Sequence, residues 1–231
     1  MISIRESNSR GQANFGWLDS RHTFSFGQYY DPQQMGVSAL RVINDDKVAP
    51  SAGFSTHGHS NMEIISLVTQ GEMIHKDSEG NLQHLPAGEF QLMSAGAGIM
   101  HSEYNASDKE PLHFLQIWVQ PNEQGGPPGY QQKRFESSSP VTLVISPDGR
   151  DGTLTIKQDA FISDVKLLAG ESIKVPADTA RHYYLHIIIG SVDIDGQTLN
   201  AGDGAKFEGL SSLNLKQQGE VTVKAILFDL P

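Results

Sequence analysis

Helical periodicity is scarce in this chain. Short apolar runs rich in Val, Ile and Phe recur instead, at residues 62–68, 112–119, 141–145, 154–156, 183–189 and 221–228, with Gly-containing turns between them. Runs of this length and composition read as strands. The pairs Asp148-Gly149, Asp151-Gly152, Asp195-Gly196 and Asp203-Gly204 are acidic-Gly turn signals of the kind that close hairpins. Many short strands at close spacing bury their apolar faces in a sandwich or a barrel. The chain is therefore expected to be all-β, and its 231 residues suffice for one large β domain or two small ones.

One stretch departs from the strand pattern. Residues 121–130 read PNEQGGPPGY and residues 137–140 read SSSP, a density of Gly, Pro and Ser that favours a linker or a long surface crossover. The boundary is placed there, giving halves 1–125 and 126–231. The halves look related. An apolar run ending at Val68 leads to Gly71, the turn Glu79-Gly80 and then Leu85-Pro86-Ala87-Gly88-Glu89. A run ending at Ile189 leads to Gly190, Asp195-Gly196 and then Leu199-Asn200-Ala201-Gly202-Asp203. The shared order predicts two β-barrels in tandem.

Composition removes several function classes. There is no cysteine, which excludes disulfides, thiolate metal sites, iron–sulfur clusters and Cys nucleophiles. The 17 basic and 27 acidic residues leave a net charge of −10, which repels a phosphate backbone, so no nucleic-acid partner is expected. No apolar stretch is long enough to span a membrane, and residues 1–7 lack the apolar core of a signal peptide. A cytoplasmic protein, monomeric and without membrane contact, is expected. Asn105-Ala106-Ser107 matches a glycosylation acceptor and is read as chance.

The chemistry concentrates in the histidines. There are nine, seven of them before residue 121. His57-Gly58-His59 and His101-Ser102-Glu103 each place two ligand-capable side chains at i and i+2, on one face of a strand. Two such strands inside a barrel supply three imidazoles and a carboxylate, a set that suits a divalent transition metal and leaves coordination positions open. Gly96-Ala97-Gly98 would turn the chain just before His101, and Gly58 would keep the space between the two imidazoles small. The other six histidines (His22, His75, His84, His113, His182 and His186) are read as structural. Glu89 and Glu103 as a glycosidase pair would leave the histidines unexplained. The aromatic stretch Phe24, Phe26, Tyr29 and Tyr30 reads as core, with closure of one barrel mouth as the alternative.

These residues resemble a known family. The spacing His57-Gly-His59-x3-Glu63-x7-Gly71, then Gly88-x5-Ser94-Ala-Gly96-Ala-Gly98-x2-His101-x3-Asn105, is similar to the two motifs of the cupin superfamily. The segments NFGWLDSRHTFSFGQYYDP (14–32), LRVINDD (40–46), MEI (62–64), AGEFQLMSAGAGIMHSEYN (87–105), LQIWV (115–119) and SPDGRDG (146–152) resemble the pirin family over nearly the whole chain, and within it the bacterial pirin-like quercetin 2,3-dioxygenases. The resemblance implies a bicupin, two consecutive double-stranded β-helix (jelly-roll) domains. Residues 1–125 would bind the metal, and 126–231 would be a degenerate cupin without one. It puts the family's ligands on His57, His59, His101 and Glu103. Glu63, at the usual cupin carboxylate position, becomes a supporting or structural residue, and Ser94 stands where the general motif has Pro.

The activity so implied is a metal-dependent dioxygenase that cleaves flavonols such as quercetin with O2 and releases CO. Fe(II) is the first expectation for the metal, with Mn, Ni, Co, Cu or Zn as alternatives. Glu103 would serve as ligand and general base. Phe54, Met100, Ile43 and Phe90 are named for the substrate slot from proximity in sequence. The rival readings are a metal- or redox-sensing regulator that binds a protein partner, a Zn isomerase or hydrolase on a similar barrel, and a dioxygenase whose natural substrate is another phenolic.

Overall fold

The structure, a computed structural model, describes residues 1–137 and 139–231; Ser138, inside the expected serine-rich linker, lies outside the described residues. Contacts divide the chain into two compact units. One holds 11–135 and 156–158, the other 1–10, 136–155 and 159–231.

The N-terminal unit contains β2 (Gly11–Asn14), β3 (Leu18–His22), β4 (Leu40–Val48), β5 (Gly53–His59), β6 (Glu63–Gln70), β7 (Glu72–Asp77), β8 (Leu82–Pro86), β9 (Glu89–Ser94), β10 (Ile99–Asn105), β11 (Leu112–Val119) and β12 (Gly129–Arg134). The C-terminal unit contains β1 (Ile2–Arg5), β13 (Val141–Ser146), β14 (Leu154–Thr155), β15 (Phe161–Leu167), β16 (Ser172–Pro176), β17 (His182–Ile189), β18 (Ser191–Ile194), β19 (Gln197–Asn200), β20 (Gly204–Glu208), β21 (Ser212–Gln218) and β22 (Val223–Leu230).

Each unit is a pair of sheets closed around its own core. In the first, a seven-stranded sheet runs β12-β9-β6-β11-β4-β3-β2 and a four-stranded sheet β5-β10-β7-β8. In the second, the orders are β1-β20-β17-β22-β15-β13-β14 and β16-β21-β18-β19. Replacing β4 to β11 by β15 to β22 in turn converts the eight central strands of the first pattern into those of the second, and only the edge strands differ. The chain is a bicupin, as the repeat and the resemblance implied.

Pairing, not chain order, assigns two segments. β1 pairs with β20 (Ile2↔Phe207 to Arg5↔Gly204), so the first ten residues join the C-terminal unit. β12 pairs with β9 (Gly129↔Ser94 to Arg134↔Glu89), so residues 126–135 join the N-terminal unit and Gly129-Tyr130 is strand, not linker. β12 and β1 occupy equivalent edge positions in the two large sheets.

The repeated glycines have a common cause. Gly71 (φ +80°) and Gly190 (φ +79°) follow β6 and β17, where a Cβ would lie 2.9 Å from the Pro111 carbonyl oxygen and 3.2 Å from that of Thr222, respectively. Left-handed backbone and a close strand both demand Gly. Gly71→Ala should therefore lower the stability of the N-terminal unit by about 2–3 kcal/mol. Gly80→Ala (φ +93°, with open space around the site) should cost about 1 kcal/mol. Urea midpoints of the two variants check the ordering.

Of the four acidic-Gly pairs, only Asp195-Gly196 closes a two-residue hairpin, with both residues at positive φ between Ile194 and Gln197. Asp148-Gly149 and Asp151-Gly152 lie in a 3-10 connection to β14, which pairs parallel to β13 and so cannot follow a hairpin. At Asp203-Gly204 the positive φ belongs to Gly202, and Asp203 instead accepts the amides of Ser7 (2.7 Å) and Asn200 (2.8 Å).

Candidate metal centre and cavity

The site is built where β5 and β10 pair. The register sets His101 opposite His57 and Ile99 opposite His59, and an extra residue in β5 bulges the ladder between His101 and Glu103. On its other edge β10 sets Glu103 opposite His75 of β7. Period-2 alternation then gathers these side chains on the inner face of the small sheet.

The rings of His57, His59 and His101 lie 4.4–4.9 Å apart, centroid to centroid. One potential ligand atom from each falls within 4.8 Å of the others. His75, His101 and Glu103 form a second trio by the same measure, so His101 is common to both and Glu103 is grouped with His75 rather than with His57 and His59. His57 Nδ1 donates to the Ser55 carbonyl (2.8 Å), which leaves its Nε2 lone pair available. His59 Nε2 and both nitrogens of His101 are buried without a hydrogen-bond partner. Burial, reinforced by neighbouring imidazoles, pushes His101 down to about 3 and His59 down to about 4. Both rings are therefore neutral near pH 7 and hold free lone pairs, as metal ligands must. Buried unpartnered donors converging in this way fit a divalent transition metal.

The large sheet positions Glu103 from the opposite side. Its Oε2 accepts from Gln116 Nε2 (2.9 Å) and its Oε1 from Ser66 Oγ (3.3 Å). Burial, with the Asp46 charge nearby, raises its carboxyl to about 7 against those two hydrogen bonds. Glu63 is spent elsewhere: its Oε2 accepts from Ser94 Oγ (2.8 Å) and the Lys157 amide (3.2 Å), and it belongs to neither trio.

His57 and His59 open on a cavity of about 880 Å³ that is also lined by Trp17, Phe26, Tyr29, Phe54 and Trp118. Of the four residues named for the substrate slot, only Phe54 lines it. Ile43, Phe90 and Met100 are corrected for one shared reason. Each is one residue away from an inward side chain (Asn44, Gln91 and His101), and one step along a strand reverses the face. Ile43 and Phe90 are buried behind the large sheet, Phe90 edge-on to Phe135, and Met100 covers Gly58 on the outer side of the small one. Gly58 thus makes room for Met100, not for the imidazoles. Gly96 does turn the chain (φ +53°), seated against the Gly126 carbonyl. Phe26 and Tyr29, joined by an isolated bridge, line the cavity mouth, while Phe24 is core and Tyr30 is exposed.

Two of the six histidines read as structural sit at the site. His75 is fully buried, its Nε2 bonded to Asp77 Oδ2 (3.0 Å) and its Nδ1 unpartnered. His22 lines the cavity. His75-x-Asp77 is a third i, i+2 pair, and the logic that singled out His57-x-His59 applies to it equally. His84 and His113 are instead paired with Glu72 and Asp45.

Among its described residues, the C-terminal unit shows no such donor set. Its equivalent register pairs Leu215 with Ile173, Leu213 with Val175 and Gln217 with Val192. Ile173, Val175, Val192, Leu213 and Leu215 pack into one apolar cluster, and Gln217 Nε2 is spent on the carbonyls of Gln218, Gly219 and Val221.

A sequence model of the pirin family matches residues 3–119, and a model described as the quercetinase C-terminal cupin domain matches residues 143–230. A protein of Escherichia coli K12 named quercetin 2,3-dioxygenase is 46% identical over 231 residues, which cover 100% of this chain and 99% of that one. The chain belongs to the pirin family. Among solved structures, this pirin matches YhhW from Escherichia coli at a TM-score of 0.97 and 46% identity, covering 100% and 98% of the two chains. It matches a structure described as bacterial pirin YhhW in complex with nickel(II) at 0.96 and 45%, covering 100% and 99%.

Proposed function

We propose that this pirin is a quercetin 2,3-dioxygenase-type oxidoreductase, a divalent-metal-dependent enzyme that cleaves flavonols with O2 and releases CO. The observation that carries the reading is the convergence of three imidazoles, those of His59 and His101 with buried unpartnered nitrogens, beside an aromatic-lined cavity onto which His57 and His59 open. His57, His59, His101 and Glu103 would hold the metal, and His75, fixed by Asp77, would steady Glu103 and His101 from behind. When bound, the metal supplies a Lewis-acid and redox centre. Fe(II) is proposed, with Mn, Ni, Co or Cu as alternatives; the nickel(II) complex of the 45% identical relative supports a divalent cation.

The protein's own part is positioning and proton transfer. Trp17, Phe54 and Trp118 offer faces and edges to a flat ring and displace water from it. Glu103 takes the proton of the enolic hydroxyl on Oε1, the oxygen with the longer contact, while Gln116 holds Oε2. The C-terminal barrel, filled with apolar side chains, takes no metal.

The test supplies quercetin and O2 to protein reconstituted in turn with each metal and measures CO. CO formed in step with quercetin loss is expected. Absence of CO with every metal, together with quercetin loss that is unchanged in His57→Ala, would overturn the reading.

A further inference from the structure

A polar row crosses the inner face of the large sheet. The registers place His22 beside Asn44, Asn44 beside Gln116, Gln116 beside Ser66, Ser66 beside Gln91 and Gln91 beside Gln132, one residue from each of six adjacent strands. Barrel interiors are ordinarily apolar, and a buried polar group costs stability unless it is paired. Most of this row is paired. Gln116 and Ser66 bond Glu103, Gln91 Nε2 reaches Ser66 Oγ at 3.5 Å, and Tyr130 OH donates to Gln91 Oε1 (3.1 Å).

The cavity end of the row is different. Asn44 Oδ1 and His22 Nδ1 have no partner, nor does Oδ1 of Asp46, which follows Asn44 on the same face of β4. Their residues are 3%, 5% and 2% exposed, and all three line the cavity. Asn44 and Asp46 offer oxygen acceptors, and His22, whose ring also bonds the Phe26 backbone, offers Nδ1 as a third acceptor. Groups so deeply desolvated demand a partner, and the one they fit carries hydroxyl donors. The aromatic walls of the same cavity require that those hydroxyls sit on a flat apolar frame.

We infer that His22, Asn44 and Asp46 form a hydroxyl-recognition subsite, which selects polyhydroxylated aromatic ligands over the same frame without hydroxyls. This specificity rests on the flavonol reading above and adds to it the residues that distinguish one flavonol from another. A site built to bond hydroxyls rejects an analogue without them far more strongly than an apolar pocket rejects an added group, because its own polar atoms are left unpaired.

The chain holds its own reporter. Its two tryptophans, Trp17 and Trp118, both line the cavity. Full-length, metal-loaded protein is titrated without oxygen, so that no turnover occurs, and tryptophan fluorescence is followed. The ligands are quercetin and the flavonol that lacks its two B-ring hydroxyls. The wild type should bind quercetin at least ~10-fold tighter. Asn44→Leu, close in volume but without the acceptor, should reduce that preference to below ~3-fold and leave the hydroxyl-free ligand bound within ~3-fold of wild type. Asp46→Asn, which exchanges the carboxylate for an amide, should reduce the preference in part and serves as the second variant, with thermal melts verifying that each is folded. Equal binding of the two ligands by the wild type, or an unchanged preference in both variants, would overturn the subsite. The two readings fail separately. Discrimination without CO from any metal form, and with quercetin loss unchanged in His57→Ala, supports the subsite and removes the dioxygenase reading, whereas CO formation with equal binding removes the subsite alone.

Discussion

His101→Ala should strip the protein of its metal and its oxygen-dependent turnover together. His101 is the residue common to both trios of potential ligands, it is 1% exposed, and neither of its ring nitrogens has a hydrogen-bond partner. Altering a group that merely orients a ligand costs about 10–100-fold in metal affinity, so loss of the ligand itself should cost at least ~100-fold. Metal content after dialysis and CO yield measure the two effects. His84→Ala is the control: that ring is paired with Glu72 at the surface and should change neither. Metal retained at wild-type level by folded His101→Ala would remove the proposed centre.

Metal-free Glu103→Gln should be more stable than the metal-free wild type at pH 8 and equal to it near pH 4. The folded chain holds the Glu103 carboxyl at about 7, chiefly through burial, whereas an unfolded Glu titrates at about 4.3. Below the unfolded value both states are protonated, and the variant resembles the wild type. Between about 4.3 and 7 the unfolded state releases a proton that the folded state retains, so the wild type loses stability as pH rises, and the loss levels off above 7. The gap should approach ~4 kcal/mol at pH 8, at 1.36 kcal/mol per unit. The depressed histidines His59 and His101 contribute slopes of the opposite sign, but they are present in both proteins and cancel in the difference. Adding divalent metal should reverse the order, because binding to the folded state stabilises the chain with the tighter site. Urea denaturation of both proteins at pH 4, 6 and 8, with and without metal, gives the result. A pH-independent difference would mean that Glu103 is not held protonated in the metal-free fold.

Much of the site could be read along the chain because strands have a period of two. His57 and His59, and His101 and Glu103, each share a face whatever lies next to them, and turn glycines such as Gly71 and Gly196 mark where strands must end. The same rule explains the errors. Ile43, Phe90 and Met100 are sequence neighbours of Asn44, Gln91 and His101, and for that reason they point the opposite way. Along the chain His75 reads as a lone histidine although Asp77 follows it at i+2, and its place beside His101 and Glu103 depends on β7 lying against β10. Acidic-Gly pairs were equally ambiguous, since a turn signal reports a bend and not the direction of the strand beyond it.

Local chemistry was enough to establish an all-β chain, its internal repeat and the face on which each pair of potential ligands lies, because alternation and turn stereochemistry act over two to four residues. Pairing across the sheets decided the rest. It carried residues 1–10 into the C-terminal unit and 126–135 into the N-terminal one. It brought His22, Asn44, Gln116, Ser66, Gln91 and Gln132 from six strands into one row, and it filled the second barrel with Ile173, Val175, Val192 and Leu215 where the first holds imidazoles. Those contacts join residues tens of positions apart, and hydrogen bonding between strands sets their register, which no local pattern encodes.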